Sequence, residues 1–161
     1  MMDRWSYPTV RVWIALSIML VIQANSATER HKPSKIKNII EELKKQMGIQ
    51  QDIEVVLVAR NDLIVSVQPR KDRSAFEISF ERSFLNTLDD EDLRAVVAHE
   101  LGHVWIFTHH PFLQTEDLAN SIAFKAVTTN AMDRVYEKVA SRTRVGSNLS
   151  ASVHSPAGAT P

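Results

Sequence analysis

No cysteine occurs in the 161 residues. That absence excludes disulfide staples, thiol catalysis and cysteine-ligated metal sites, and it leaves histidine, aspartate and glutamate as the strong metal ligands on offer. An excess of charge of one sign is missing too: Lys+Arg 19 balances Asp+Glu 19, so the composition points to neither nucleic acid nor an anionic membrane surface. No run of ~20 apolar residues, the length a spanning helix needs, is seen at the N-terminus either, where the uncharged stretch Val12 to Ile22 is shorter. What remains is 44% hydrophobic and 24% charged, the balance of one ordinary globular domain with a sizeable core.

Residues 1–27 read as a segment apart. Arg4 and Arg11 precede the apolar stretch, and Gln23-Ala24-Asn25-Ser26-Ala27 supplies small residues suited to cleavage after Ser26 or Ala27. This is the pattern of a secretory signal peptide, which implies a secreted or periplasmic product with no membrane contact after cleavage, and a membrane anchor if it stays uncleaved. A domain over 28–141 and a disordered tail over 142–161, rich in Ser, Ala, Gly and Thr, complete the expected organisation.

The chain's chemistry concentrates in Ala95-Val96-Val97-Ala98-His99-Glu100-Leu101-Gly102-His103-Val104-Trp105, an HExxH motif within an apolar helical run. Residues four apart share one helix face, so His99 and His103 can present imidazoles to one metal ion while Glu100 reaches a water beside it. Leu93, Val96, Val97, Leu101 and Val104 make the surrounding helix a buried one. Two imidazoles and a carboxylate are costly to bury without partners, and a metal removes that cost.

The rest of the chain frames this helix. Ser34 is a candidate N-cap for an amphipathic helix with Ile36, Ile39, Ile40, Leu43 and Met47 inward, ended by Gly48. Ile53 to Ala59 and Leu63 to Val67 are rich in β-branched residues around Asn61-Asp62 and read as a hairpin. Phe76-Glu77-Ile78-Ser79-Phe80 alternates as a half-buried strand, and an exposed edge there would take an extended peptide. Ser83 to Leu88 reads as a short helical turn, and Asp89 or Asp90 caps the motif helix, which is ended by His109, His110 and Pro111. A second long helix is expected from Thr115 to Ser141, with Ile122, Ala126, Thr129, Met132, Val135, Tyr136 and Val139 inward. The architecture is α+β: a small sheet packed on an N-terminal helix, the motif helix and a long helix bearing the third ligand.

A catalytic zinc keeps three protein ligands and an open position. Three candidates compete for the third place. Glu116 opens Glu116-Asp117-Leu118-Ala119-Asn120, in which Asn120 falls one turn later and can orient a histidine ligand. His109 stands at the spacing of an HExxHxxGxxH motif, although Ile106 occupies the position where that motif requires glycine. Asp117 would serve if the helix began one residue later.

The stretch Leu88-Asp89-Asp90-Glu91-Asp92-Leu93-Arg94-Ala95-Val96-Val97-Ala98-His99-Glu100-Leu101-Gly102-His103 resembles the catalytic helix of gluzincin metallopeptidases of the CAAX prenyl protease and heat-shock protease HtpX type. Phe84-Leu85 and the ExxAN block at Glu116 also sit where that family has its edge strand and its third-ligand helix, and the resemblance covers roughly Ala75 to Ala126. The family often has aspartate where Asn120 stands, and its larger members carry transmembrane helices, so the small soluble minigluzincins are the nearer comparison. The resemblance implies a zincin-like fold, one zinc ion per chain held by His99, His103 and Glu116, Glu100 as catalyst, and peptide or protein substrates. His109, His110 and Tyr136 are the candidates for stabilising an oxyanion. The expected function is that of an exported zinc endopeptidase, with a non-catalytic metal- and peptide-binding module or an anchored accessory protein as alternatives.

Overall fold

The computed structural model of the chain describes residues 33–71 and 74–153. The expected signal segment, residues 1–27, and the last residues of the expected tail, 154–161, lie outside the described residues. Helix α1 (Pro33–Met47) buries Ile36, Ile40, Leu43 and Lys44 and turns Lys35, Lys37, Glu41, Glu42 and Lys45 outward. Pro33 stands at the start of the helix, where a missing N–H costs nothing, so Ser34 lies inside the first turn rather than capping it. Gly48, at φ 71°, takes the left-handed position, and Ile49 N–H donates to the Lys44 carbonyl at 2.9 Å to close the end.

Strands β1 (Asp52–Val58), β2 (Val65–Pro69) and β3 (Ala75–Glu81) form a three-stranded sheet in the order β1-β3-β2. β3 runs parallel to β1, with Val55 opposite Ile78, and antiparallel to β2, with Val67 opposite Ile78. This corrects two expectations. β1 and β2 are not a hairpin: β3 lies between them, and the hairpin is β2–β3. The segment Phe76-Glu77-Ile78-Ser79-Phe80 offers no free edge, because it is the central strand with both sides paired. Phe76, Ile78 and Phe80 are fully buried, and burying each contributes about 1.5–3 kcal/mol, which draws this strand rather than its neighbours to the middle. β1 becomes one edge and β2 the other. β2 is entered through a γ-turn in which Val65 N–H donates to the Leu63 carbonyl at 2.7 Å, holding the β-branched Ile64 at φ 69°.

A four-residue helix, α2 (Arg82–Leu85), leads to α3 (Asp90–His109). The Asp89 carboxylate caps α3 by accepting from Asp92 N–H at 2.8 Å, with Asp90, Glu91 and Asp92 in the first turn where the helix dipole favours anions. Leu93, Ala95, Val97, Ala98, Leu101 and Val104 are fully buried on several faces at once, because α3 packs against α1, β2 and both of the helices that follow it.

The long helix expected from Thr115 to Ser141 is two helices, α4 (Glu116–Ala123) and α5 (Thr129–Val153). The apolar spacing continues through Ala126 and Thr129, but Thr128 turns its hydroxyl to the Ala131 N–H at 3.2 Å and starts a new helix. The backbone then stays helical to Val153, into the segment 142–161 expected as the tail. α5 is held by cations at one-turn intervals. Arg134 and Lys138 both bond the fully buried Asp92, and Arg142 bonds the buried Glu81. No helix among the described residues is long and apolar enough to cross a membrane.

Candidate metal centre

His99 and His103 project from one face of α3, one turn apart, and Glu116 is brought to them by the first residue of α4. Thr115 sets that start by accepting from the Leu118 N–H at 3.2 Å. Gly102 lets α4 come so close: a Cβ there would stand 2.6 Å from the Ala119 carbonyl oxygen. His99 Nε2 lies 3.2 Å from His103 Nε2 and 3.2 Å from Glu116 Oε2, and His103 Nε2 lies 3.4 Å from Glu116 Oε1.

These distances decide what the three groups can do. Metal bonds of 2.0–2.1 Å in a tetrahedron put neighbouring ligand atoms about 3.3 Å apart. The far nitrogen of each ring is engaged, His99 Nδ1 with Asn120 Oδ1 at 2.8 Å and His103 Nδ1 with Gln114 Oε1 at 3.2 Å. Nδ1–H donation to those oxygens leaves both Nε2 lone pairs facing the carboxylate. Three electron-pair donors converging at tetrahedral spacing are a site for a divalent cation, and these three residues could hold a metal ion. Burial, chiefly, and the nearby His103 hold the His99 imidazole below its ordinary pKa, against the opposing pull of Asn120 and Glu116, which favours the neutral, ligating form.

Glu100 is buried beside them. Desolvation, reinforced by the Glu116 charge, pushes its carboxyl up to about 8. A cation held by the histidines and Glu116 acts in the opposite direction and favours the carboxylate. Both Glu100 and the three ligand candidates line a cleft of about 530 Å³, within the size of small-molecule and peptide sites. Val65, Ser66 and Val67 of the β2 edge form one wall, and Met132, Val135 and Tyr136 of α5 form another. The Tyr136 hydroxyl is 2.7 Å from Asn120 Nδ2 and 2.9 Å from its Oδ1.

The competing third ligands stand elsewhere. With Ile106 in place of glycine, α3 continues through His109, six residues past His103, so His109 faces away. Its ring stacks on Trp105 at 4.2 Å and 9°, with Nδ1 2.9 Å from the Trp105 carbonyl. His110 is exposed beyond it, and Asp117, exposed on α4, is outside the cluster. Of the strand residues expected to bind substrate, Phe76 alone lines the cleft. Gln114 was invisible in the sequence, because a glutamine in a connecting loop carries no signal beyond standing two residues before Glu116.

The family model described as Peptidase family M48 matches residues 30–157. The crystal structure of the metallopeptidase zymogen of Pyrococcus abyssi abylysin is similar in fold, with a TM-score of 0.51 and 16% identity over 68% of this chain and 95% of that one. The zymogen of Methanocaldococcus jannaschii jannalysin aligns with a TM-score of 0.46 and 18% identity, over 67% of this chain and 96% of that one. No curated protein matches.

Proposed function

The chain belongs to peptidase family M48, a metallopeptidase with an α+β zincin-like fold, and from that premise we propose that it is an exported zinc endopeptidase with His99, His103 and Glu116 as its metal ligands. The observation that carries the reading is the convergence of three electron-pair donors at 3.2, 3.2 and 3.4 Å, beside a buried carboxylate and at the floor of a cleft. Zinc supplies Lewis acidity toward the scissile carbonyl and toward water.

The chain's own residues do the rest. A peptide lies extended along the free edge of β2, bonding main chain to main chain, with its side chains directed between β2 and α5. Glu100 takes a proton from the attacking water at its carboxylate and returns it to the departing amine nitrogen. Asn120 holds His99 in its ligating tautomer. The Tyr136 oxygen accepts from Asn120 Nδ2, and its hydroxyl proton, which rests toward Asn120 Oδ1 at 2.9 Å, turns into the cleft to stabilise the oxyanion. Burial, first, keeps the Tyr136 pKa above its ordinary value, so that proton is present at neutral pH. Export rests on the signal pattern of residues 1–27. A cleft of this volume gives a peptide room to bind, and Glu100 on its wall beside the three ligand candidates favours turnover over a module that only holds metal and peptide.

Elemental analysis and digestion of a peptide library test the reading together. The protein is expected to contain one zinc per chain and to cleave peptides until a chelator is added. His103→Ala loses the metal, and Glu100→Gln keeps it while activity falls by about 10²–10⁴-fold. Zinc without any metal-dependent cleavage would favour the binding module, and a fully active Glu100→Gln would remove Glu100 from the mechanism.

A further inference from the structure

Gln114 stands between α3 and α4, eleven residues after His103 and two before Glu116. Its amide makes two contacts with a single residue: Nε2 donates to the His103 main-chain carbonyl at 3.2 Å, and Oε1 lies 3.2 Å from His103 Nδ1. A carbonyl oxygen accepts and never donates, whatever the pH, so it fixes which way the amide faces. With Nε2 committed to the carbonyl, Oε1 is the atom facing the imidazole. An amide oxygen also only accepts, so His103 Nδ1 has to carry the hydrogen. The lone pair of a neutral His103 then resides on Nε2, the atom that faces His99 Nε2 and Glu116.

We infer that Gln114 is a positioning residue: it selects the metal-binding tautomer of His103 in the metal-free chain and ties the start of α4, with Glu116, to α3. The two histidines differ in how firmly this is set. Asn120, the partner of His99, has a hydroxyl as its other contact, and a hydroxyl can donate or accept. Gln114 is keyed to a backbone carbonyl, which leaves no second arrangement. The same two bonds fasten the residue next to Thr115, whose hydroxyl caps α4, so the second and third ligand candidates are registered by one side chain.

The inference rests on His99, His103 and Glu116 holding zinc, and its test separates the two. Long-range proton–nitrogen NMR on the metal-free full chain, above the pH at which its histidines titrate, reads the His103 tautomer directly. Zinc affinity by competition with a chromophoric chelator is measured alongside. The parent is expected to show His103 protonated on Nδ1. Gln114→Met, which keeps the length and removes both polar atoms, is expected to move His103 toward the Nε2–H form that free imidazole side chains favour in water. It is also expected to weaken zinc binding about 10–100-fold, with only a small drop in the unfolding midpoint of the metal-free protein from the two lost hydrogen bonds. A His103 tautomer that is the same in parent and Gln114→Met overturns the inference, as does unchanged zinc affinity in a zinc-binding parent. A parent that binds no zinc, yet loses the Nδ1–H tautomer in the variant, keeps the tautomer role of Gln114 and sinks the metal reading instead.

Discussion

Asn120 Oδ1 lies 2.8 Å from His99 Nδ1 across the interface of α3 and α4. The bond joins residues 21 apart in sequence and is made possible by Asn120 falling one turn after Glu116, on the same face of α4. One short helix therefore supplies both a ligand candidate and the group that orients the ligand facing it. Asn120→Leu, which keeps bulk and removes the acceptor, is expected to weaken zinc binding about 10–100-fold. Asn120→Asp keeps an acceptor for His99 but withdraws the N–H from Tyr136, whose proton is then drawn to the new carboxylate. Zinc affinity in that variant should match or exceed the parent's while kcat falls, and chelator competition with steady-state kinetics separates the two effects.

Gly102 is the contact point of the two helices. A methyl group there would meet the Ala119 carbonyl oxygen at 2.6 Å, and that oxygen belongs to backbone that cannot swing aside. On an isolated helix, glycine to alanine would add about 1 kcal/mol of stability. Here the overpacking costs about 1–3 kcal/mol and forces α4 outward, carrying Glu116 and Asn120 with it. Gly102→Ala is expected to be neutral or destabilised in urea unfolding and, more tellingly, to lose zinc affinity although no ligand has changed. Parental affinity in this variant would mean that α4 reaches the histidines without the close approach.

The cationic face of α5 gives a pH dependence. Burial by itself would raise the Asp92 carboxyl, but hydrogen bonds from Lys138 and Arg134 and their charges outweigh it and hold the pKa below the ordinary 3.8. The folded chain then binds this proton less readily than the unfolded one. The stabilisation is complete above the unfolded value and is lost as pH falls through the folded one. Acid unfolding is therefore expected to include a component below about pH 4 that Asp92→Asn removes. At neutral pH the same substitution should cost roughly 3 kcal/mol, the low end for breaking a buried pair, since Arg134 and Lys138 are partly exposed and can turn to water. A flat difference between parent and variant from pH 7 to pH 2 would show that the ion pairs contribute nothing net.

Local rules made the motif helix readable in advance, because four-residue spacing alone puts His99 and His103 on one face and Asp89-Asp90 marks the start, with the structure choosing Asp89 as the cap. The same rule places Asn120 one turn past Glu116, so the link between them was visible before any fold was known. Strand order was not, since local rules say that each of the three segments is extended but not which pairs with which, and pairing is decided by which one buries most. That decision, which placed Phe76, Ile78 and Phe80 inward on the central strand, left β1 and β2 as the edges, of which β2 lines the cleft. The break between α4 and α5 was hidden because the apolar spacing runs across it while the cap is a single threonine hydroxyl. Gln114 was beyond reach for a different reason. Its key partner is a main-chain carbonyl, which every residue has.

Tyr136 provides the sharpest test of the chemistry, because its hydroxyl has two possible uses that part company in one variant. It lines the cleft from α5 with its ring edge-on to His99 at 6.3 Å between centroids, and its oxygen receives the Asn120 N–H. If the hydroxyl stabilises the oxyanion, its contribution exists in the transition state and not in the resting enzyme. Tyr136→Phe should then lower kcat about 10²–10³-fold with little change in KM or zinc affinity. If instead the hydroxyl serves only to steady Asn120, the loss travels through His99 to the metal, and zinc affinity falls while the turnover of the fully loaded variant stays near parental. Because burial raises the Tyr136 pKa, no loss of kcat from its ionisation is expected below about pH 10 in the parent. Chelator competition and kcat at saturating zinc, measured on the same preparation of Tyr136→Phe, decide between the two uses.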